Sequence, residues 1–544
     1  MNDKVEFEKN VKVLIDDLKS VCANYGLGND GNEFKIITQL FLYKFLNDRF
    51  IKEVKLIDKN LSKSKNIFDK LDNYNKKDFE MLLMQMDENT ARLYPNQLIS
   101  HIYTKQNEDN FSSIFDNNLL EIGNQNSDIF SVLTSNGERI ILFENISKYI
   151  SDKRDDFCRA AINKLINFSF ENFFDQKFDF YSVIFEYLIK DYNSNSGGKY
   201  GEYFTPHVVA KIMSKCLVKD NEQDVTCYDP SSGSGTLLMN LAHTIGEDKC
   251  ILYSEDISQK SSNLLRLNLI INKLVHSIPN IIQGNTILMP YHRSNKGSQK
   301  KFDYIVSNPP FKLDFSDYRN ELDTKDNNER FFAGIPKIPK KNKDKMPIYL
   351  LFIQHILFSL SEKGKAAVVV PSGFLTVKSG IEYKIRKFLI DEKILKSVIS
   401  MPSNIFATTG TSVSILFFDK SKNFSEVNLM DASKLGTSVK EGKYQKTIIS
   451  EQEEILITET IINNKSIDDL STKVSFESIK KKNYSFNAGH YFKIKIQYED
   501  ISIDDFNKKI LSIKNELNKL FQENKDLGKK IDNQIDNLKY EKLD

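Results

Sequence analysis

Cysteine is sparse in this sequence: five residues in 544, with no Cys-x-x-Cys pair. Cys22, Cys158, Cys216, Cys227 and Cys250 also lack the Cys/His spacing of a zinc site, so they are expected to be reduced thiols in the core. Net charge is sparse as well. Lys and Arg number 76 against 74 Asp and Glu, leaving +2, which gives no global field to draw the whole molecule onto a polyanion. Any nucleic-acid contact must then come from local patches or from a partner. Long apolar runs are missing too: the most apolar stretch, residues 348–360, is broken by Gln354 and His355. The opening Met1-Asn2-Asp3-Lys4-Val5-Glu6 has no signal-like apolar stretch, so a cytoplasmic protein without a membrane partner is expected.

What is present is apolar content for a sizeable core, 40% of residues, in a chain long enough for two or three domains. From residue 6 to about 192 apolar residues recur at helical spacing, as in Ile36, Ile37, Leu40, Phe41, Tyr43 and Phe45, with few Gly or Pro breaks. An all-helical N-terminal domain over 1–193 is expected. Ser194-Asn195-Ser196-Gly197-Gly198 then reads as a linker or mobile loop. Beyond it, β-rich runs alternate with helical stretches, at 225–228, 251–253, 304–306, 366–370, 394–399 and 413–418. That alternation predicts a doubly wound, mostly parallel α/β domain over 194–420, with ligands bound where strand ends meet helix starts. An extension over 421–505 follows. In 506–544, Phe506, Ile510, Ile513, Leu517, Leu520, Asn524, Leu527, Ile531, Gln534 and Leu538 are spaced alternately four and three apart. This heptad pattern predicts a coiled-coil helix with Asn524 as a polar seam residue; an amphipathic helix lying on its own protein is the plainer alternative.

Two segments carry chemistry. In 225–238 a strand ends in Asp229-Pro230-Ser231-Ser232-Gly233-Ser234-Gly235, and a helix follows. Gly233 and Gly235 let the backbone approach a ligand closely, and the helix start offers free N–H groups. The turn has neither the Gly-Lys-Ser/Thr ending of a phosphate-binding loop nor GxGxxG spacing. An acid at the strand end suits a cationic ammonium, which S-adenosylmethionine carries beside its sulfonium. A second acidic pair, Glu255-Asp256, ends another strand, where an acid commonly holds ribose hydroxyls. The stronger signal is Asn308-Pro309-Pro310-Phe311 after the strand at 302–307. Two prolines fix the backbone and aim the Asn308 amide out of the sheet. The Asn308 side-chain oxygen and the Pro309 carbonyl can then accept hydrogen bonds from an exocyclic amine, leaving its lone pair for a sulfonium methyl, while Phe311 stacks on the base. A base in a duplex must first be flipped out to reach such a pocket.

These residues resemble the motifs of amino-methyltransferases in which the cofactor turn comes first and Asn-Pro-Pro-Phe second. Their order and spacing resemble the modification subunits of type I restriction-modification systems. Further segments fit: Gly201-Glu202-Tyr203-Phe204-Thr205-Pro206, Phe352-Ile353-Gln354-His355-Ile356-Leu357, 364–371, Met401-Pro402-Ser403-Asn404-Ile405-Phe406, 40–50 and 483–487. The resemblance implies a Rossmann-like methyltransferase domain that uses S-adenosylmethionine to methylate adenine N6 in duplex DNA. It also implies a specificity subunit bound by two modification subunits, and leaves a restriction subunit open. The implied cofactor contacts are Tyr203, Phe204, Thr205, Asp229, Ser231, Gly233, Ser234, Gly235, Asp256 and Asn285, with Asp256 rather than Glu255 on the ribose. Asn285 stands where the family usually has Asp, near the cofactor's adenine; its side-chain oxygen can still accept a hydrogen bond, so binding is expected to survive.

Other features have two readings. Lys337, Lys340, Lys341, Lys343 and Lys345 form either a phosphate clamp or a solvated loop. His355, inside an apolar helix, is expected to be a core histidine. Asn-Pro-Pro-aromatic also serves other planar amines, so a protein glutamine or an RNA base is the alternative substrate. A catalytically silent scaffold is a third reading, against which the intact residues 308–311 speak.

Overall fold

The computed structural model describes residues 2–28, 31–62, 67–171, 174, 205–219, 222–295, 297–406, 412–422, 424–441, 444–492 and 502–536. The expected linker at 194–198, and Tyr203 and Phe204, lie outside the described residues. Two units separate, Met1–Phe492 and Lys493–Asp544.

In the larger unit the strands are β1 (Val132–Thr134), β2 (Arg139–Ile140), β3 (Val225–Asp229), β4 (Cys250–Asp256), β5 (Ile281–Gln283), β6 (Phe302–Ser307) and β7 (Leu360–Pro371). They continue as β8 (Leu395–Ser400), β9 (Val413–Asp419), β10 (Glu426–Asp431), β11 (Thr437–Glu441), β12 (Tyr444–Ile448) and β13 (Ser471–Ser475). β11 and β12 pair as a separate hairpin; the other eleven make one sheet in the order β13-β10-β8-β9-β7-β6-β3-β4-β5-β1-β2. The run from β1 through β5, β4, β3 and β6 to β7 is parallel throughout, and β9 is antiparallel to both its neighbours. The mostly parallel sheet expected from the sequence is there.

The strand pattern follows from coverage on both faces. Residues 366–370 are apolar at every position and each is fully buried, as a central strand between two helical layers requires. Ala367 and Val369 share a core with helices His207–Leu217 and Thr236–Ile245. Ala366, Val368 and Val370 face the opposite core with helices Tyr349–Ser359 and Gly380–Asp391. Full burial of each such Val stabilises the fold by roughly 1.5–3 kcal/mol. All five cysteines are free and buried. No described helix is long and apolar enough to cross a membrane.

The structure departs from expectation at both edges of the sheet. The N-terminal region is built on helices Asn2–Asn24, Gly31–Ile57, Phe111–Gln125 and Arg154–Ile166, yet it is not all-helical. Its β1 pairs with β5, and Arg266, buried on helix Gln259–Ile271, donates to the carbonyls of Ile140 at 2.8 Å and Ile141 at 3.1 Å. At the other edge the sheet runs past Asp419, because β10 and β13 come from the stretch expected to be an extension. Strands of two to six residues paired with distant segments leave little local periodicity to read. In the smaller unit a single described helix, Ile503–Asp536, buries none of its side chains.

Candidate active site

β3 is the point where strand order reverses: β4 and β5 lie on one side of it, β6 and β7 on the other. A crevice at the strand ends is expected at such a switch point, and a cavity of about 1020 Å³, mouth included, lies there. Asp229 from the end of β3, Asp256 from the end of β4 and Asn308 just past β6 all line it, with Thr205, Ser231, Gly233, Ser234, Asn285 and Pro310. Gly235, Pro309 and Phe311 are expected site residues that do not line it. Phe311 is half-buried and meets Tyr349 edge-on at 6.3 Å.

The turn after β3 is shaped by its own polar groups. The Asp229 carboxylate accepts from the Ser231 N–H at 2.9 Å, and Asp256 accepts from the Gly233 N–H at 2.9 Å and the Ser258 N–H at 2.8 Å. The Ser261 side chain also bonds this carboxylate, which leaves about one of its four acceptor positions for a ligand. Glu255 points elsewhere, wholly buried against Tyr228. Gly235 serves packing rather than ligand approach: its φ is +88°, and a Cβ there would lie 2.2 Å from Leu265 Cδ1.

On the transfer side, the Asn308 Nδ2 donates to Thr205 Oγ1 at 3.1 Å. That bond anchors the amide through its nitrogen and leaves Oδ1 as an acceptor. Ser231 Oγ and Ser307 Oγ lie 2.7 Å apart, tying the turn after β3 to the end of β6. Nothing in the local sequence pattern announces either contact, since the partners are 103 and 76 residues apart.

The cavity's chemistry asks for a cation. Burial pushes the Asp229 carboxyl up to about 7 and raises that of Asp256, and neither carboxylate has an ion-pair partner among the described residues. Ser232 Oγ, on the cavity wall, is buried with no hydrogen-bond partner among the described residues. Ile257, Ile287, Leu313, Tyr318 and Phe352 supply apolar wall. An ammonium and sulfonium ligand with a flat ring, S-adenosylmethionine, fits this set. One expectation changes. Asn285 Oδ1 already accepts from the Ile287 N–H at 3.2 Å and the Leu288 N–H at 3.1 Å, so its amide nitrogen, a donor, is the group left over. A hydrogen bond from it opposes the burial that raises the Tyr318 hydroxyl.

Comparison with known proteins agrees with this geometry. The family described as N-6 DNA Methylase matches residues 176–500, more than half of the chain. This chain belongs to that family. The methylase is accordingly an adenine-directed DNA methyltransferase. It is 27% identical over 396 residues to the methylase subunit of the type I restriction enzyme MpnII of Mycoplasma pneumoniae, covering 71% of this chain and 69% of that one. It is 23% identical over 498 residues to the MjaVIII methylase subunit of Methanocaldococcus jannaschii, covering 90% and 80%. Its fold is that of the type I restriction-modification methyltransferase subunit of Streptococcus thermophilus, with a TM-score of 0.70 at 20% identity, over 89% of this chain and all of that one.

The methylase's cavity also has lining residues that were not among the expected cofactor contacts: Ser232, Ile257, Tyr318 and Phe352. Ser232 sits inside the Gly-rich turn and Phe352 opens a segment that resembles the family, so both were within reach of the sequence, while Ile257 and Tyr318 arrive through the fold. The five lysines of 337–345 are exposed, and the chain leaving them is tied beside the segment that follows Asn308-Pro309-Pro310-Phe311 by the Leu313 N–H donating to the Met346 carbonyl at 3.1 Å.

Proposed function

We propose that this methylase transfers a methyl group from S-adenosylmethionine to adenine N6 in duplex DNA, as the modification subunit of a type I restriction-modification complex. The observation that carries this reading is the single cavity shared by Asp229, Asp256 and Asn308 at the reversal of strand order. Bound there, S-adenosylmethionine supplies an electrophilic methyl group. Asp229 balances the donor's ammonium, Asp256 accepts from its ribose hydroxyls, and Ser231, Gly233, Ser234 and Asn285 complete the wall. Asn308 Oδ1 and the Pro309 carbonyl accept hydrogen bonds from the target amine and direct its lone pair. Thr205 anchors the amide. No side-chain base is needed before transfer.

Sequence choice belongs to a second chain. With a net charge of +2 the methylase lacks the electrostatic term that supplies most nonspecific DNA affinity. Helix Ile503–Asp536 exposes Phe506, Ile510, Ile513, Leu517, Leu520, Leu527 and Ile531 in four-three spacing, a seam for a partner helix. Leu511, Phe521 and Ile535 are exposed too, so the apolar surface is wider than one heptad stripe. We assign this surface to a specificity subunit, with two modification subunits to one specificity subunit. The test is methyl transfer from tritium-labelled S-adenosylmethionine by the methylase co-purified with its specificity subunit. Label recovered as N6-methyladenine from duplex DNA is expected. Label in RNA or in glutamine of a peptide, or no donor binding at all, overturns the reading.

A further inference from the structure

Behind the cavity wall runs a chain of four buried polar side chains, none of which lines the cavity: Arg330, His355, Tyr228 and Glu255. Arg330 Nε lies 3.1 Å from His355 Nδ1, His355 Nε2 is 3.1 Å from Tyr228 Oη, and Tyr228 Oη is 3.0 Å from Glu255 Oε1. Donor counting orders every proton. A guanidinium only donates, so His355 Nδ1 must accept; the neutral ring then carries its proton on Nε2 and donates to Tyr228. Tyr228 has one proton left, and it goes to Glu255. Burial and the Arg330 charge hold His355 well below its usual range, which agrees with a neutral ring. The histidine expected to be plain core is therefore the middle of a one-way relay from a guanidinium to a buried carboxyl group, which burial raises to about 7.

Both ends of the relay grip cavity walls. Arg330 donates to the Thr286 carbonyl at 2.7 Å and the Ile287 carbonyl at 2.9 Å, the loop that also carries Asn285. Thr286 Oγ1 in turn donates to the Pro230 carbonyl at 2.7 Å, in the turn after β3. At the other end the Glu255 carbonyl accepts from the Ser232 N–H at 3.3 Å, Glu255 Oε2 accepts from the Tyr291 N–H at 3.2 Å, and the next residue is Asp256.

We propose that Arg330, His355, Tyr228 and Glu255 act together as positioning residues, a directed brace that fixes the spacing between the 284–288 loop and the end of β4 and thereby sets donor affinity. The proposal rests on the reading of the cavity as the S-adenosylmethionine site. The backbone already joins these walls through the β4–β5 pairing and the Gly284 N–H donating to the Asp256 carbonyl at 2.8 Å; because the four side chains form one chain, a break anywhere removes the second, side-chain tie between them.

The test is a double-mutant cycle read by calorimetric titration of S-adenosylmethionine and S-adenosylhomocysteine into the full chain, with thermal melts alongside. Tyr228→Phe removes one hydroxyl and keeps the shape. Arg330→Lys keeps a charge but loses the fork that reaches His355 and both carbonyls. Each is expected to weaken binding of both ligands about 10-fold, roughly 1.4 kcal/mol. The double variant is expected to be no weaker than the worse single variant, since neighbours in one network do not add. If Arg330→Lys does not fold, Glu255→Gln takes its place. Losses that multiply, or melts that fall while affinity for both ligands holds, overturn the brace. A wild-type chain that binds neither ligand overturns the donor reading instead.

Discussion

The cavity and the C-terminal helix bury opposite kinds of side chain. Around the cavity, Asp229, Glu255, Asp256, Arg330 and His355 are all nearly or fully buried, among apolar helices and strands. Along Ile503–Asp536 the side chains left in water include Phe506, Leu517, Phe521 and Ile531. The chain tolerates the first because each buried polar group has a partner or awaits a ligand, and an unpaired one would cost about 1–3 kcal/mol. It tolerates the second only if another surface covers the stripe, since large exposed apolar patches mark interaction sites. On the proposed reading, one region is finished by a small cation and the other by a protein.

The largest expected effect separates the two regions outright. Deleting residues 503–544 should abolish co-purification with the specificity subunit and leave S-adenosylmethionine affinity within about two-fold of wild type by calorimetry, a 0.4 kcal/mol margin. A matching loss of donor affinity would break the comparison. Within the cavity, Asn308→Ala should lower the methyl-transfer rate about 10²–10³-fold, the scale for removing a preorganised group that acts in the transition state, with donor binding nearly intact. Equal loss of both would mean a structural role for the turn.

Asp256→Ala should weaken donor binding by about 1.5–3 kcal/mol through lost charge-assisted hydrogen bonds. The contrast with Glu255 becomes sharper here, because Asp256 is expected to touch the donor and Glu255 only to brace it.

A pH titration adds the next increment. The Asp229 carboxyl, raised to about 7 by burial with the Asp256 charge adding to it, is neutral below that pH, and a cationic ligand favours its ionised form. Donor affinity should therefore be flat above about pH 7 and fall as pH drops below it, approaching about ten-fold per unit, with protons released on binding. Calorimetry in buffers of different ionisation enthalpy reads both. Affinity that rises toward acid would remove Asp229 from the donor site. The smallest effect is that of Thr205→Val, which removes the anchor of the Asn308 amide: a loss of about 10-fold in rate, rescued by Thr205→Ser, is expected from removing one hydrogen bond to a neutral group.

Much of this was legible in the sequence, and what was not has a common cause. The six expected runs fall in or overlap β3, β4, β6, β7, β8 and β9, because a strand buried on both faces leaves a continuous apolar signature. The Gly-rich turn and the Asn-Pro-Pro-Phe segment were readable because their residue types are local to the chemistry. The Thr205 to Asn308 bond, the Arg330 to Glu255 relay and the edge strands β1, β2, β10 and β13 were not readable, since they depend on which distant segments meet. Asn285 shows the same limit at one residue. Its identity was plain, but the use of its oxygen by Ile287 and Leu288 depends on the backbone of the loop.

The pairing of β1 with β5 has a consequence in time. Leu133 lies opposite Ile282, so during synthesis the neighbour that β1 needs is made well after β1 itself. At 5–20 residues per second the wait is roughly 7–30 s. For that interval the N-terminal helices can gather, but the edge that β1 offers has nothing to pair with, and an unpaired edge is where chains associate wrongly. The ribosome, not the N-terminal segment, therefore sets when the first 140 residues can finish folding.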